Sequence, residues 1–109
     1  MTKIRIYKDS TGNYQGFQCR DHAGSGDYGF DIVCAAISVL TINTINSLDK
    51  LTKDTFELTQ DENTGFIQVL FPHQLSNGGR LLMDSYVMGI ESIQEEYGSK
   101  YIQVFHKEV

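Results

Sequence analysis

The segment DIVCAAISVLTINTINSLDKL, residues 31–51, decides the fold, because here the apolar pattern changes from alternation to helical spacing. Val33, Ala36, Ile37, Leu40, Thr44, Leu48 and Leu51 fall at three- and four-residue steps, which predicts a helix with one buried stripe and Asp31 as its N-cap. On its N-terminal side, Asp21 to Gly29 carries Gly24, Gly26 and Gly29 and reads as a loop. Further back, Ile4 and Ile6 alternate with Lys3, Arg5 and Tyr7. Turn residues at 9–13 then lead into a second alternating run from Tyr14 to Arg20, so the two form a hairpin. On its C-terminal side, Thr55 to Gln60 and Phe66 to Phe71 flank turn residues 61–65, and Pro72 closes a second hairpin. Ser76-Asn77-Gly78-Gly79 punctuates before Leu82, Tyr86, Gly89, Ile90, Ile93 and Tyr97 repeat at helical spacing, with Gly98 placed to end the helix. Tyr101 to His106 closes the chain as a strand, with Ile102, Val104 and His106 on one face. The order ββαββαβ predicts a single α+β domain over residues 1–109, a two-layer sandwich with both helices on one face of a mixed sheet.

The chain has 109 residues, 9 basic against 14 acidic, and a formal net charge of -5. No Lys/Arg cluster exceeds two residues, so neither a nucleic-acid nor a membrane footprint is expected, and the acidic balance favours a basic partner. The longest apolar run, Ile32 to Leu40, is interrupted by Ser38 and falls short of the roughly 18 residues of a membrane span. Residues 1–8 lack the apolar stretch of a secretion signal, which makes a cytoplasmic location the expectation. Cys19 and Cys34 have neither CxxC nor a histidine pair beside them, and in that compartment both are expected as thiols. No metal or other cofactor is expected, since His73 and His106 show no metal-ligand spacing. A homodimer is the default assembly, two-fold pairing being the commonest way to cover an apolar surface.

Cys34 is the candidate nucleophile. Placed in the first turn of the predicted helix, its thiolate would be stabilised by unpaired backbone N–H groups and by the helix dipole. His22, at the far end of the glycine loop, is close enough in sequence to fold back as its base. The alternative is that Cys34 is a small buried hydrophobe of an Ala/Ile/Val-rich helix, and packing is the reading for Cys19. Asp31 and Ser38 flank Cys34 at helical spacing. Asp31 either caps the helix or orients His22; Ser38 shares the stripe of the thiol, where a mid-helix serine usually bonds back to the carbonyl four residues earlier, that of Cys34. Gly24, Gly26 and Gly29 are either loop punctuation or parts of a flap over the thiol. A silent peptide-binding module and another Cys/His acyl-transfer enzyme are the competing functional classes.

The run His22-Ala23-Gly24-x-Gly26-x-Tyr28-Gly29-x-Asp31-Ile32-Val33-Cys34-Ala35-Ala36-Ile37-Ser38 closely resembles the signature of the bacterial ribosomal-processing cysteine protease family, Prp. The resemblance extends to chain length and to the ββαββαβ order. It implies a homodimeric endopeptidase with Cys34 as nucleophile and His22 as general base. Asp31 and Ser38 would support the site, and Ala23, Gly24, Gly26, Tyr28 and Gly29 would belong to a loop that orders on substrate. It further implies a substrate: large-subunit ribosomal protein twenty-seven, whose short N-terminal extension family members remove. Asp21, a carboxylate beside His22, would favour the imidazolium.

Overall fold

The structure is a computed structural model that describes the backbone of residues 1–21 and 28–109 and the side chains of residues 1–20 and 31–109. The elements are β1 (Thr2–Lys8), β2 (Tyr14–Asp21), α1 (Tyr28–Leu51), β3 (Glu57–Asp61), β4 (Phe66–Leu70), α2 (Asn77–Tyr97) and β5 (Ile102–Glu108). The order and the α+β class are those expected. The strands form one sheet in the order β3-β4-β2-β1-β5. β1 and β5 pair in parallel, whereas β1–β2, β2–β4 and β3–β4 are antiparallel.

Short-range chemistry builds the first hairpin. The Asp9 carboxylate accepts the N–H groups of Thr11 and Asn13, each at 2.9 Å, and the Thr11 hydroxyl at 2.8 Å. These bonds, the Asn13 N–H foremost, hold the Asp9 carboxyl below the usual carboxylate range. Alternation then sorts the β1 side chains. Thr2, Ile4 and Ile6 are buried, and Lys3, Arg5 and Tyr7 are on the other face. Register carries the buried face across the sheet, since Ile4 lies opposite Cys19 and Ile6 opposite Phe17, which in turn faces Val69. The outer face is a polar row in which Arg5 Nη1 donates to Gln18 Oε1 at 3.3 Å and Gln18 Nε2 to Gln68 Oε1 at 3.1 Å.

Both helices lie on the buried face. Val33, Ile37 and Leu48 of α1 and Met83, Tyr86 and Ile90 of α2 complete the core with Ile4, Ile6, Phe17, Val69 and Ile102. The Phe17 and Tyr86 rings are 4.8 Å apart at 45°, and the Tyr86 hydroxyl is 2.9 Å from the buried Thr41 hydroxyl. Burial pushes the Tyr86 phenol well above its ordinary value.

Several boundaries differ from the sequence-based expectation. α1 starts at Tyr28, three residues before Asp31, so Tyr28 and Gly29 are helical rather than loop, and Asp31 is a first-turn acid rather than the N-cap. An aspartate is favoured at either place, by N–H capping or by the dipole, so residue type alone does not separate them. The buried stripe includes Thr41, whereas Leu51 at the helix end is 75% exposed. α2 takes Gly78 and Gly79 into its first turn behind Ser76, whose side-chain oxygen accepts the Gly79 N–H at 3.1 Å. Gly98, at φ 90°, ends α2 where an L side chain would be strained. His106 shares the face of Ile102 and Val104, as expected, but lies at its exposed margin, where its Nε2 is 2.6 Å from Glu91 Oε1 of α2.

Within the 21 residues of Asp31–Leu51, a window of 18 residues has mean hydropathy 1.5, apolar enough to cross a membrane by length and composition, although the run is interrupted by polar residues. Core helices of globular proteins satisfy the same criterion, and here one side of the helix is spent on the core. Its other side leaves Val39 and Ile42 exposed.

Candidate active site

Cys34 sits in the second turn of α1, between the buried Val33 and the exposed Ala35, and is itself half-buried. Because the helix starts at Tyr28, the expectation that Cys34 occupies the first turn is corrected. The N–H groups without intrahelical partners are those of the first four helical residues, 28–31, and the dipole effect fades within that turn. The Cys34 N–H is therefore tied into the helix, which removes it from the donors available to an oxyanion.

What surrounds the thiol comes mostly from elsewhere in the chain. Cys34 Sγ is 3.7 Å from Thr2 Oγ1, on the first inward position of β1. Both line a cavity of about 210 Å³ whose walls include Ser38, Thr41 and Ile42 of α1, Cys19 of β2 and Phe66 and Ile67 of β4. The β3–β4 turn closes one side with Asp61, Glu62 and Gly65. Pairing of Cys19 with Ile67 brings that turn over the end of β2, and Arg20 stacks its guanidinium 5.2 Å from the Phe66 ring centroid. The cavity therefore offers two thiols, several hydroxyls, apolar walls and two exposed carboxylates at its rim.

Of the residues singled out from sequence, Cys34 and Ser38 line the cavity together, whereas Asp31 is exposed and is not among its walls. Within α1 Thr44 makes such a hydroxyl-to-carbonyl back-bond, to Leu40 O at 2.8 Å. Tyr28 and Gly29 are placed by their helical backbone. His22, Ala23, Gly24 and Gly26 lie outside the described residues. β2 runs to Asp21, the residue before His22, and Asp21 pairs with Thr2. Cys19, buried as expected, also faces the cavity, and the two cysteines are not joined in a disulfide. Among the described residues no group of His, Cys, Asp or Glu is arranged to hold a metal ion.

Sequence reasoning missed Thr2 and the β3–β4 turn. Thr2 had a signal, since it is the polar member of an inward series otherwise made of Ile4 and Ile6. For the turn there was none, because its place in the cavity wall depends on sheet register.

An α+β sandwich with a half-buried helical thiol opening into a cavity is an arrangement that a cysteine hydrolase can use. The family model of cysteine protease Prp matches residues 1–103, and the chain belongs to that family. It is 29% identical to the ribosomal processing cysteine protease Prp of Staphylococcus aureus over 76 residues, covering 70% of this chain and 72% of the relative. Against the Bacillus subtilis protein of the same name it is 26% identical over 101 residues, covering 89% and 90%. Among solved structures, the S. aureus essential ribosomal processing protease Prp in complex with a covalently linked product peptide matches with a TM-score of 0.88. That match has 25% identity and covers 98% of this chain and 100% of the other. SMU.848 from Streptococcus mutans matches at a TM-score of 0.84 and 29% identity over 100% and 96% of the two chains. The chain is thus a cysteine protease, and the expectation of an enzyme over a silent binding module holds.

Proposed function

We propose that this protein is a cytoplasmic, homodimeric endopeptidase that removes the short N-terminal extension of large-subunit ribosomal protein twenty-seven. Cys34 is its nucleophile and His22 its general base. The observation that carries the reading is the Cys34 thiol, half-buried in the wall of a cavity of about 210 Å³, in a chain whose curated relatives are named for ribosomal processing. The Cys34 thiolate attacks the scissile carbonyl carbon, forming the C–S bond and a tetrahedral oxyanion. Collapse breaks the C–N bond while the His22 imidazolium protonates the leaving amine. Water, deprotonated by His22, then hydrolyses the thioester and restores the thiol.

Asp61 and Glu62 at the rim, with the net charge of -5, suit a basic peptide. Apolar side chains left exposed on α1 and α2, Val39 at 68% and Met88 at 66% among them, suit coverage by a second copy.

The test is to incubate the purified protein with the ribosomal precursor from the same organism and follow the precursor's mass. Loss of one short N-terminal peptide, absent with Cys34→Ala, is expected. An unchanged precursor mass, or cleavage that survives Cys34→Ala, would overturn the reading.

A further inference from the structure

We propose that Thr2 belongs to the reacting site: its hydroxyl donates a hydrogen bond to the Cys34 thiolate and thereby sets the pH at which that thiol ionises. This rests on Cys34 being the nucleophile, as proposed above. Thr2 Oγ1 and Cys34 Sγ are 3.7 Å apart, a separation at which either atom can donate while the sulfur is protonated. Once the sulfur is ionised it has no proton left, and the hydroxyl is the donor of the pair. The bond then stabilises the anion, which is the attacking form.

Three features make the hydroxyl a fixed donor. Thr2 is only 1% exposed, so little water competes for the bond and its strength is greater than at the surface. Its backbone is clamped on both sides, by pairing with Asp21 and Ile102 and by its N–H on Tyr101 O at 2.9 Å. Its β-branched side chain also has few rotamers to lose. The position is one where packing alone would favour an apolar residue, since Ile4 and Ile6 continue the same inward face.

The test measures the rate of Cys34 alkylation by iodoacetamide against pH in the full chain, with peptide mass spectrometry separating Cys34 from Cys19. Thr2→Val keeps shape and removes the hydroxyl, and is expected to move the midpoint up by about one pH unit, with the acid limb of kcat/KM following it. Thr2→Ser keeps the hydroxyl and should stay within a few tenths of a unit of the parent. A Thr2→Val profile that coincides with the parent's, or a Thr2→Ser profile shifted as far as that of Thr2→Val, would overturn the proposal. If Thr2→Val fails to fold, Thr2→Ala against Thr2→Ser, which differ by one oxygen, gives the same decision. Alkylation is read without any substrate, so failure of the protease reading, cleavage by Cys34→Ala, remains distinguishable from failure of this one.

Discussion

The two ends of the β1–β2 hairpin use polar groups in opposite ways. At the turn end, where α2 begins, polar groups are consumed by one another. Tyr14 Oη donates to Asp84 at 2.5 Å, and Ser76 donates its N–H and its hydroxyl to Asp54 at 3.0 and 2.7 Å while accepting from Gly79. Burial, then the bond to Asp84, pushes the Tyr14 phenol up. Gly79 belongs to this cluster for want of room, because a Cβ there would meet Asp54 Oδ2 at 2.0 Å. At the open end, where Thr2 pairs with Asp21, the thiol, hydroxyls and carboxylates line about 210 Å³ of space instead. One end is closed by internal hydrogen bonds and holds the layers together, whereas the other keeps its groups facing a space that a substrate can enter. On the function proposed above, a single sheet carries hydrogen-bonded closure at one end and chemistry at the other.

That division can be broken in graded steps. The largest effect is expected from Cys34→Ala at the open end, with precursor cleavage falling by more than about 10³-fold while the melting temperature moves by only a few degrees. Next is Met83→Ala between the two ends, where a fully buried side chain leaves a cavity. Unfolding in urea should show a loss of about 3 kcal/mol, with the kcat of the remaining folded protein near the parent's. At the closed end, Ser76→Ala removes the α2 cap and should cost about 1 kcal/mol in the same assay, leaving kcat/KM within about twofold. The smallest effect sharpens the open end. Asp61→Asn with Glu62→Gln should raise KM for the precursor a few-fold at low salt, a difference that shrinks in concentrated salt and leaves the melting temperature in place. Loss of cleavage on Ser76→Ala, or loss of stability without loss of cleavage on Cys34→Ala, would dissolve the division.

Much of this was legible from residues alone. The Ile4/Ile6 alternation and the stripe Val33, Ile37, Thr44, Leu48 mark β1 and α1 because each period matches the geometry of its own element. Cys34 was legible as a candidate because the motif from His22 to Ser38 is contiguous in the chain. The start of α1 was not. Gly29 reads as a helix breaker by propensity, yet it falls within the first turn of a long helix that is anchored by core packing further along. Leu51 fits the periodic stripe but lies at the helix end, beyond the sheet that buries the rest.

By itself, the sequence determined the order and type of the elements, the helical place of the thiol and the acidic balance of the surface, because all of these depend on local periodicity or composition. Only the tertiary structure decided which residues share the cavity. Thr2 lies 32 positions from Cys34, and the β3–β4 turn joins the same cavity through the pairing of Cys19 with Ile67. Contacts of that kind are set by strand register and by how α1 packs on the sheet. A register slip of one residue would turn Thr2 to the opposite face with no change in any local signal.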